Sequence, residues 1–127
     1  MNIKHDKGFT LVELLIAVMI LSGAISGVLL LYTSSMISSQ QAWDTTVAVI
    51  HGEHILEEMQ AKKSRSDILN TNWSGWVKGQ GLNTLSDEEI KITFADPDDT
   101  PLDIEVRINW QTKSRENFIV LNTKMTK

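Results

Sequence analysis

The chain has 127 residues, 12 Lys and Arg against 16 Asp and Glu, and no Cys. That length allows one membrane segment and one small soluble domain, and the acidic balance gives no basic face for nucleic acid. The missing Cys excludes a disulfide framework and thiol chemistry.

Lys4 and Lys7 stand immediately before an apolar run over residues 9–32 that contains a single acid, Glu13. At ~1.5 Å per helical residue, a run of this length crosses the ~30 Å hydrocarbon core of a bilayer once. Basic flanks stay on the cytoplasmic side, so the expected orientation is N-terminus in, C-terminal part across the membrane. A cleaved secretory signal is the competing reading. Its apolar region is only ~7–15 residues and ends at a small-residue cleavage site. This run is longer and holds an acid near its start. A carboxylate inside a membrane helix costs at least ~2.5 kcal/mol on insertion scales, so Glu13 calls for a compensating partner, unless it sits at the interface and reaches the headgroups. Gly23 and Gly27 form a small-xxx-small pair that lets helices approach closely, which is a weak signal.

Helical signals continue past Tyr32. Trp43, Val47, Ile50, His54 or Ile55, and Met59 recur every three or four residues, the spacing of an amphipathic helix whose apolar stripe faces a packed domain. Lys62, Lys63 and Arg65 suit a helix C-terminus, where cations offset the negative end of the dipole. One helix of about 55 residues, roughly 80 Å long, is the economical expectation. Periodicity fades over residues 66–87, where Gly75, Gly79 and Gly81 with several Asn and Ser predict a loop. Trp73 and Trp76 within it are large enough to fold back as core anchors.

Strands follow. Ile90, Ile92 and Phe94 alternate with Lys91 and Thr93. Asp96, Pro97, Asp98 and Asp99 make a turn in which Pro presets φ and Asp caps its own backbone. Leu102, Ile104, Val106, Ile108 and Trp110 alternate with Asp103, Glu105, Arg107 and Asn109, the clearest strand in the chain. Residues 111–116 read as a polar hairpin connection and 118–125 as a third strand. Consecutive strands without intervening helices imply an antiparallel meander with one buried face, for which the amphipathic half of the long helix is the natural cover. The fold class expected is α+β, a long N-terminal helix packed on a small antiparallel sheet.

The sequence Lys7-Gly8-Phe9-Thr10-Leu11-Val12-Glu13-Leu14-Leu15-Ile16-Ala17 resembles the class III signal of type IV pilins and type II secretion pseudopilins. The resemblance implies cleavage by a prepilin peptidase after Gly8, N-methylation of the new terminal Phe9, and a docking role for Glu13 against the Phe9 amine of a neighbouring subunit. Such a pair removes two charges from hydrocarbon and fixes the axial stagger between subunits. Ile20-Leu21-Ser22-Gly23, Ile55-Leu56-Glu57-Glu58-Met59 and Trp110 before a basic turn are similar to the minor-pilin branch. The helix lacks the Pro that kinks many major pilins, and the chain lacks the Cys pair that closes their C-terminal loop.

The resemblance thus implies four parts: a leader over residues 1–8, a membrane and filament-core half of the helix over 9–32, an amphipathic half over 33–65, and a loop with C-terminal sheet over 66–127. The function implied is that of a minor type IV prepilin, with a minor pseudopilin of type II secretion as the alternative. A bitopic inner-membrane protein with a small periplasmic binding domain is the alternative from another class. Expected partners are the prepilin peptidase, other pilins or pseudopilins, an inner-membrane assembly platform and membrane lipid. The expected location is the bacterial inner membrane, single-pass with a periplasmic C-terminal domain, and a pilus or pseudopilus after assembly.

No catalytic residues, cofactor or metal are expected. His51, His54 and Glu58 lack the i, i+4 spacing of a zinc helix. Asp96, Asp98 and Asp99 lack the ligand spacing of a calcium loop and read as an ordinary turn.

Overall fold

A computed structural model of the chain describes residues 8–113 and 115–126. Lys4 and Lys7, on which the expected orientation rests, lie outside the described residues. The elements run α1 (Leu11–Ala61), α2 (Arg65–Asn70), α3 (Trp73–Gly79), β1 (Glu89–Phe94), β2 (Leu102–Thr112) and β3 (Arg115–Met125). This is the expected α+β class: a long N-terminal helix packed on a small antiparallel sheet, consistent with a pilin-like fold. The chain separates into two compact units, Met1–Ser39 and Gln40–Lys127.

In the first unit α1 is one uninterrupted run of exposed side chains, and it is the helix that is long and apolar enough to cross a membrane. Ser22, Ser26 and Thr33 donate their hydroxyls to the carbonyls of Met19, Ser22 and Leu29. Turning these polar groups back onto the helix leaves its flanks with little to offer water.

In the second unit the sheet has the order β1-β2-β3, antiparallel throughout. Ile90 lies opposite Ile108, and Ile108 opposite Ile119. One face is core. Leu102, Ile104, Val106, Ile108 and Trp110 are all buried, joined by Ala48, Ile55 and Met59 of α1, Ile68 of α2, and Trp73 and Val77 of α3. Fully burying an aliphatic side chain contributes about 1.5–3 kcal/mol, so Ile104, Val106 and Ile108 of the central strand carry a large share of this core.

The stripe of α1 that meets the core includes Ile55 and Met59, as expected, but departs from the expected line nearer the membrane half. Ala48, His51, Gly52, Ile55 and Met59 are buried, whereas Trp43 and Ile50 are 65% and 55% exposed. The buried stripe lies about one residue, ~100° of helix, away from the line through Trp43, Val47 and Ile50. The reason is steric. Ala48 and Gly52 have little side chain, so that side of α1 can approach the sheet. A Cβ on Gly52 would overlap the Leu121 Cδ1 methyl and lie 3.4 Å from Ile108 Cδ1.

Three further boundaries shift. The helix stops at Ala61, ahead of Lys62, Lys63 and Arg65, so its last turn contains no cation. The region expected as a loop over residues 66–87 holds two short helices, α2 and α3. Ser64 caps the first, its hydroxyl accepting from the Asp67 N–H, and Asn72 caps the second, its Oδ1 accepting from the Gly75 N–H at 3.1 Å. These caps satisfy backbone donors that a six- or seven-residue helix otherwise leaves to water. Trp73 donates its indole N–H to the Ile68 carbonyl at 2.8 Å, tying α3 to α2, and packs edge-on against Trp76. The hairpin is also tighter than expected. Thr112 pairs with Arg115, so β3 begins at Arg115 rather than 118, and Lys113 takes φ 56°, the positive φ that short hairpin turns favour.

Replacing Gly52 by Leu is expected to destabilise the second unit by about 1–3 kcal/mol, because a filled interface cannot take the added atoms. Ala at the same position should cost less, since better helix propensity offsets displacement of one methyl. Urea unfolding followed by Trp fluorescence measures both.

Candidate functional site

The start of α1 sets the geometry of the candidate site. Gly8, Phe9 and Thr10 precede the first helical residue, and all three are exposed. Thr10 acts as the cap: its hydroxyl accepts from the Glu13 N–H at 3.2 Å, and its carbonyl accepts from the Leu14 N–H at 3.2 Å. Thr10-Leu11-Val12-Glu13 therefore has the capping-box spacing, in which a hydroxyl residue and an acid three positions later bracket the first turn. The Gly8–Phe9 peptide is left outside the helix and exposed. Among the described residues, nothing beyond its chain neighbours lies within 4 Å of where a Gly8 side chain would be.

Phe9 is 85% exposed and Glu13 is exposed four residues on, in the first helical turn. A carboxylate there meets the positive end of the helix dipole, which offsets part of the cost of holding an acid among apolar neighbours. No ion pair engages Glu13 among the described residues. The structure thus places Gly8, Phe9 and Glu13 together at one helix end, with no ion pair to the carboxylate among the described residues.

The other sequence candidates separate. His51 Nδ1 lies 2.6 Å from Glu88 Oε1, and Glu88 Oε2 accepts from the Leu85 N–H at 3.0 Å. His54 stacks on Trp76 with ring centres 5.6 Å apart, while Glu58 pairs with Lys62 at 3.4 Å. These three residues therefore serve three different contacts. Among the described residues no group of three or more His, Asp or Glu is placed to hold a metal ion. In the acidic turn, Asp96 Oδ1 accepts from the Asp98 N–H and Asp99 Oδ1 from the Thr100 N–H, so both carboxylates cap backbone. Arg65 reaches across to the Pro97 carbonyl and the Thr100 hydroxyl, fastening this turn to the start of α2.

Sequence reasoning missed Glu88. Its side chain is fully shielded and His51 is the buried polar residue of the core, so the pair clips the segment before β1 onto α1. No local pattern announces it, because the partners are 37 positions apart. The capping role of Thr10 was, by contrast, written in its spacing to Glu13.

Residues 3–31 match the family model of the prokaryotic N-terminal methylation motif. The chain carries a class III signal. This is the signal of type IV pilins and pseudopilins, and the match takes in the exposed Gly8–Phe9 peptide, the Thr10 cap, Glu13 and most of the exposed helix. A class III signal implies processing by prepilin peptidase and assembly with other pilins. It suggests a structural subunit rather than an enzyme. With the apolar helix behind it, the class III signal fits a protein anchored in the inner membrane by a single span. No curated protein and no solved structure matches the chain.

Thr10→Ala should loosen the first turn by about 1 kcal/mol, the usual value of an N-cap. Faster amide hydrogen exchange at Glu13 in detergent, by roughly fivefold, would register it. Unchanged exchange would show that the cap contributes nothing.

Proposed function

We propose that this chain is a minor type IV prepilin, cut after Gly8, methylated on Phe9 and assembled into or priming a pilus filament. The observation that carries the proposal is the class III signal laid over an exposed Gly8–Phe9 peptide at the head of an apolar helix. Cleavage there leaves Phe9 with a cationic amine at membrane level. Glu13 offers a carboxylate that the described part of its own chain does not neutralise. A pair formed between the Phe9 amine of one subunit and Glu13 of the next would discharge both costs at once. Only one axial offset brings the two groups together, so pairing also selects the stagger of neighbouring helices.

In this proposal the leader stays in the cytoplasm, residues 9–32 span the inner membrane, and the α2–β3 domain lies in the periplasm. Before assembly the apolar half of α1 is covered by lipid; afterwards it is covered by the helices of other subunits. The exchange replaces one apolar environment by another, so close packing and the charge pair drive it rather than escape from water. Lipid, prepilin peptidase, an inner-membrane assembly platform and other pilins are the partners this scheme requires. The favoured branch is minor, on the strength of a helix that contains no Pro and of a chain without Cys. The same machinery and the same signal serve a minor pseudopilin of type II secretion.

Two measurements test the proposal. In cells with active prepilin peptidase, intact-mass spectrometry should find a chain that begins at methylated Phe9. A chain retaining residues 1–8 would overturn the filament role and return the bitopic anchor. Glu13→Ala should insert into the membrane at least as well as the parent yet be depleted several-fold from sheared filaments. Undiminished incorporation would remove Glu13 from docking.

A further inference from the structure

β3 is an edge strand of 11 residues, and its free side is unusually well suited to pairing. Which backbone groups face outward follows from β2. Gln111 donates its N–H to the Ser86 carbonyl and Asp103 accepts from the Ala95 N–H, both on the β1 side. Odd-numbered residues of β2 therefore bond toward β1, and even-numbered ones toward β3. Even residues of β2 lie opposite odd residues of β3, from Leu102 with Met125 to Thr112 with Arg115. The N–H and C=O groups of Glu116, Phe118, Val120, Asn122 and Lys124 consequently point away from the sheet, and no hydrogen bond among the described residues engages them.

Several of the devices that usually blunt such an edge are missing. The register of β3 runs without a bulge, the strand contains no Pro, and its core-facing residues from Asn117 to Thr123 carry no charge. Side chains of the same five outward residues lie on the solvent face, where Phe118 is 59% and Val120 37% exposed.

The order of these five residues selects the occupant. Written from either end, Glu116, Phe118, Val120, Asn122 and Lys124 place an acid opposite a base about a central Val120. We infer that β3 is a self-recognition edge, pairing antiparallel with β3 of a second copy about a two-fold axis at Val120. In that register Glu116 faces Lys124 of the second copy at both ends, Phe118 faces Asn122, and the two Val120 side chains meet on the axis. Every outward N–H and C=O of the five residues finds a partner, since antiparallel pairing repeats with the same two-residue period. Lys124 already lies 3.3 Å from Asp103, so in the pair it sits between two carboxylates. Such a two-fold is isologous and closes at two copies.

The axis stands normal to the sheet, so the α1 segments packed on the two sheets run in opposite directions. The contact accordingly joins copies that meet face to face from separate assemblies or in solution, not neighbours inserted side by side with helices aligned. It depends on neither leader cleavage nor the Glu13 pair.

The natural absence of Cys makes the register directly testable on the full chain in detergent. Val120→Cys should form a disulfide dimer under mild oxidation, because paired Cα atoms at a hydrogen-bonded site are ~5.5 Å apart, within disulfide reach. Phe118→Cys and Asn122→Cys should cross-link several-fold less, since each would stand about 14 Å from its own copy. Adding Glu116→Lys to Val120→Cys should reduce the dimer several-fold, and adding Lys124→Glu as well should restore it. Trp fluorescence confirms that each variant remains folded. Equal cross-linking at all three positions, no dimer at Val120→Cys, or indifference to the charge reversal would each overturn the inference; a dimer lost with Glu116→Lys and recovered in the double reversal would establish it.

Discussion

An apolar helix that its own chain does not cover must be covered by something else. Over the first unit, Met1–Ser39, α1 exposes Leu, Ile, Val and Met on every side, and its most apolar window has no buried share at all. Left in water, that surface would be prohibitively unfavourable at about 25 cal/mol per Å². Lipid and other helices are two environments that remove the cost, and a class III signal implies assembly with other pilins. The exposed Gly8–Phe9 peptide, the capped first turn and the Glu13 carboxylate, which no described residue pairs, all sit at the head of this helix.

The second unit solves an opposite problem with the same helix. Fewer than 90 residues cannot bury much surface on their own. The lower part of α1 supplies a wall, β2 supplies the facing layer, and α2 and α3 close the side with Ile68, Trp73 and Val77. Close approach decides the fit. Ala48 and Gly52 let α1 settle onto Ile108 and Leu121, and the larger Trp43 and Ile50 are turned outward. The one buried polar group on that wall, His51, is matched by Glu88, so the cost of burying it is met by a hydrogen bond that also fixes the path of the chain into β1.

The N–H and C=O groups of the even-numbered residues of β3 point away from the sheet, and no hydrogen bond among the described residues engages them. An edge whose charges are self-complementary restricts which strand can join it, so specificity takes the place of cover.

Much of this molecule follows from local sequence. The span over residues 9–32, the capping spacing from Thr10 to Glu13, the class III signal and the alternation in β2 are each set by neighbours a few positions apart. They survive in any context that supplies an apolar environment or a sheet. The small helices α2 and α3 were also locally encoded, through Ser64, Asp67 and Asn72, but composition rich in Gly, Asn and Ser masks caps that look like loop. Tertiary structure alone decided the rest. Which side of α1 meets the sheet depends on where a backbone can approach, so Ala48 and Gly52 outweigh the more hydrophobic Trp43 and Ile50. The partnership of His51 with Glu88, and the outward aim of the even-numbered backbone groups of β3, arise only once strands and helix are placed. Hydrophobic periodicity records what a segment prefers to bury; it does not record how closely another surface can come.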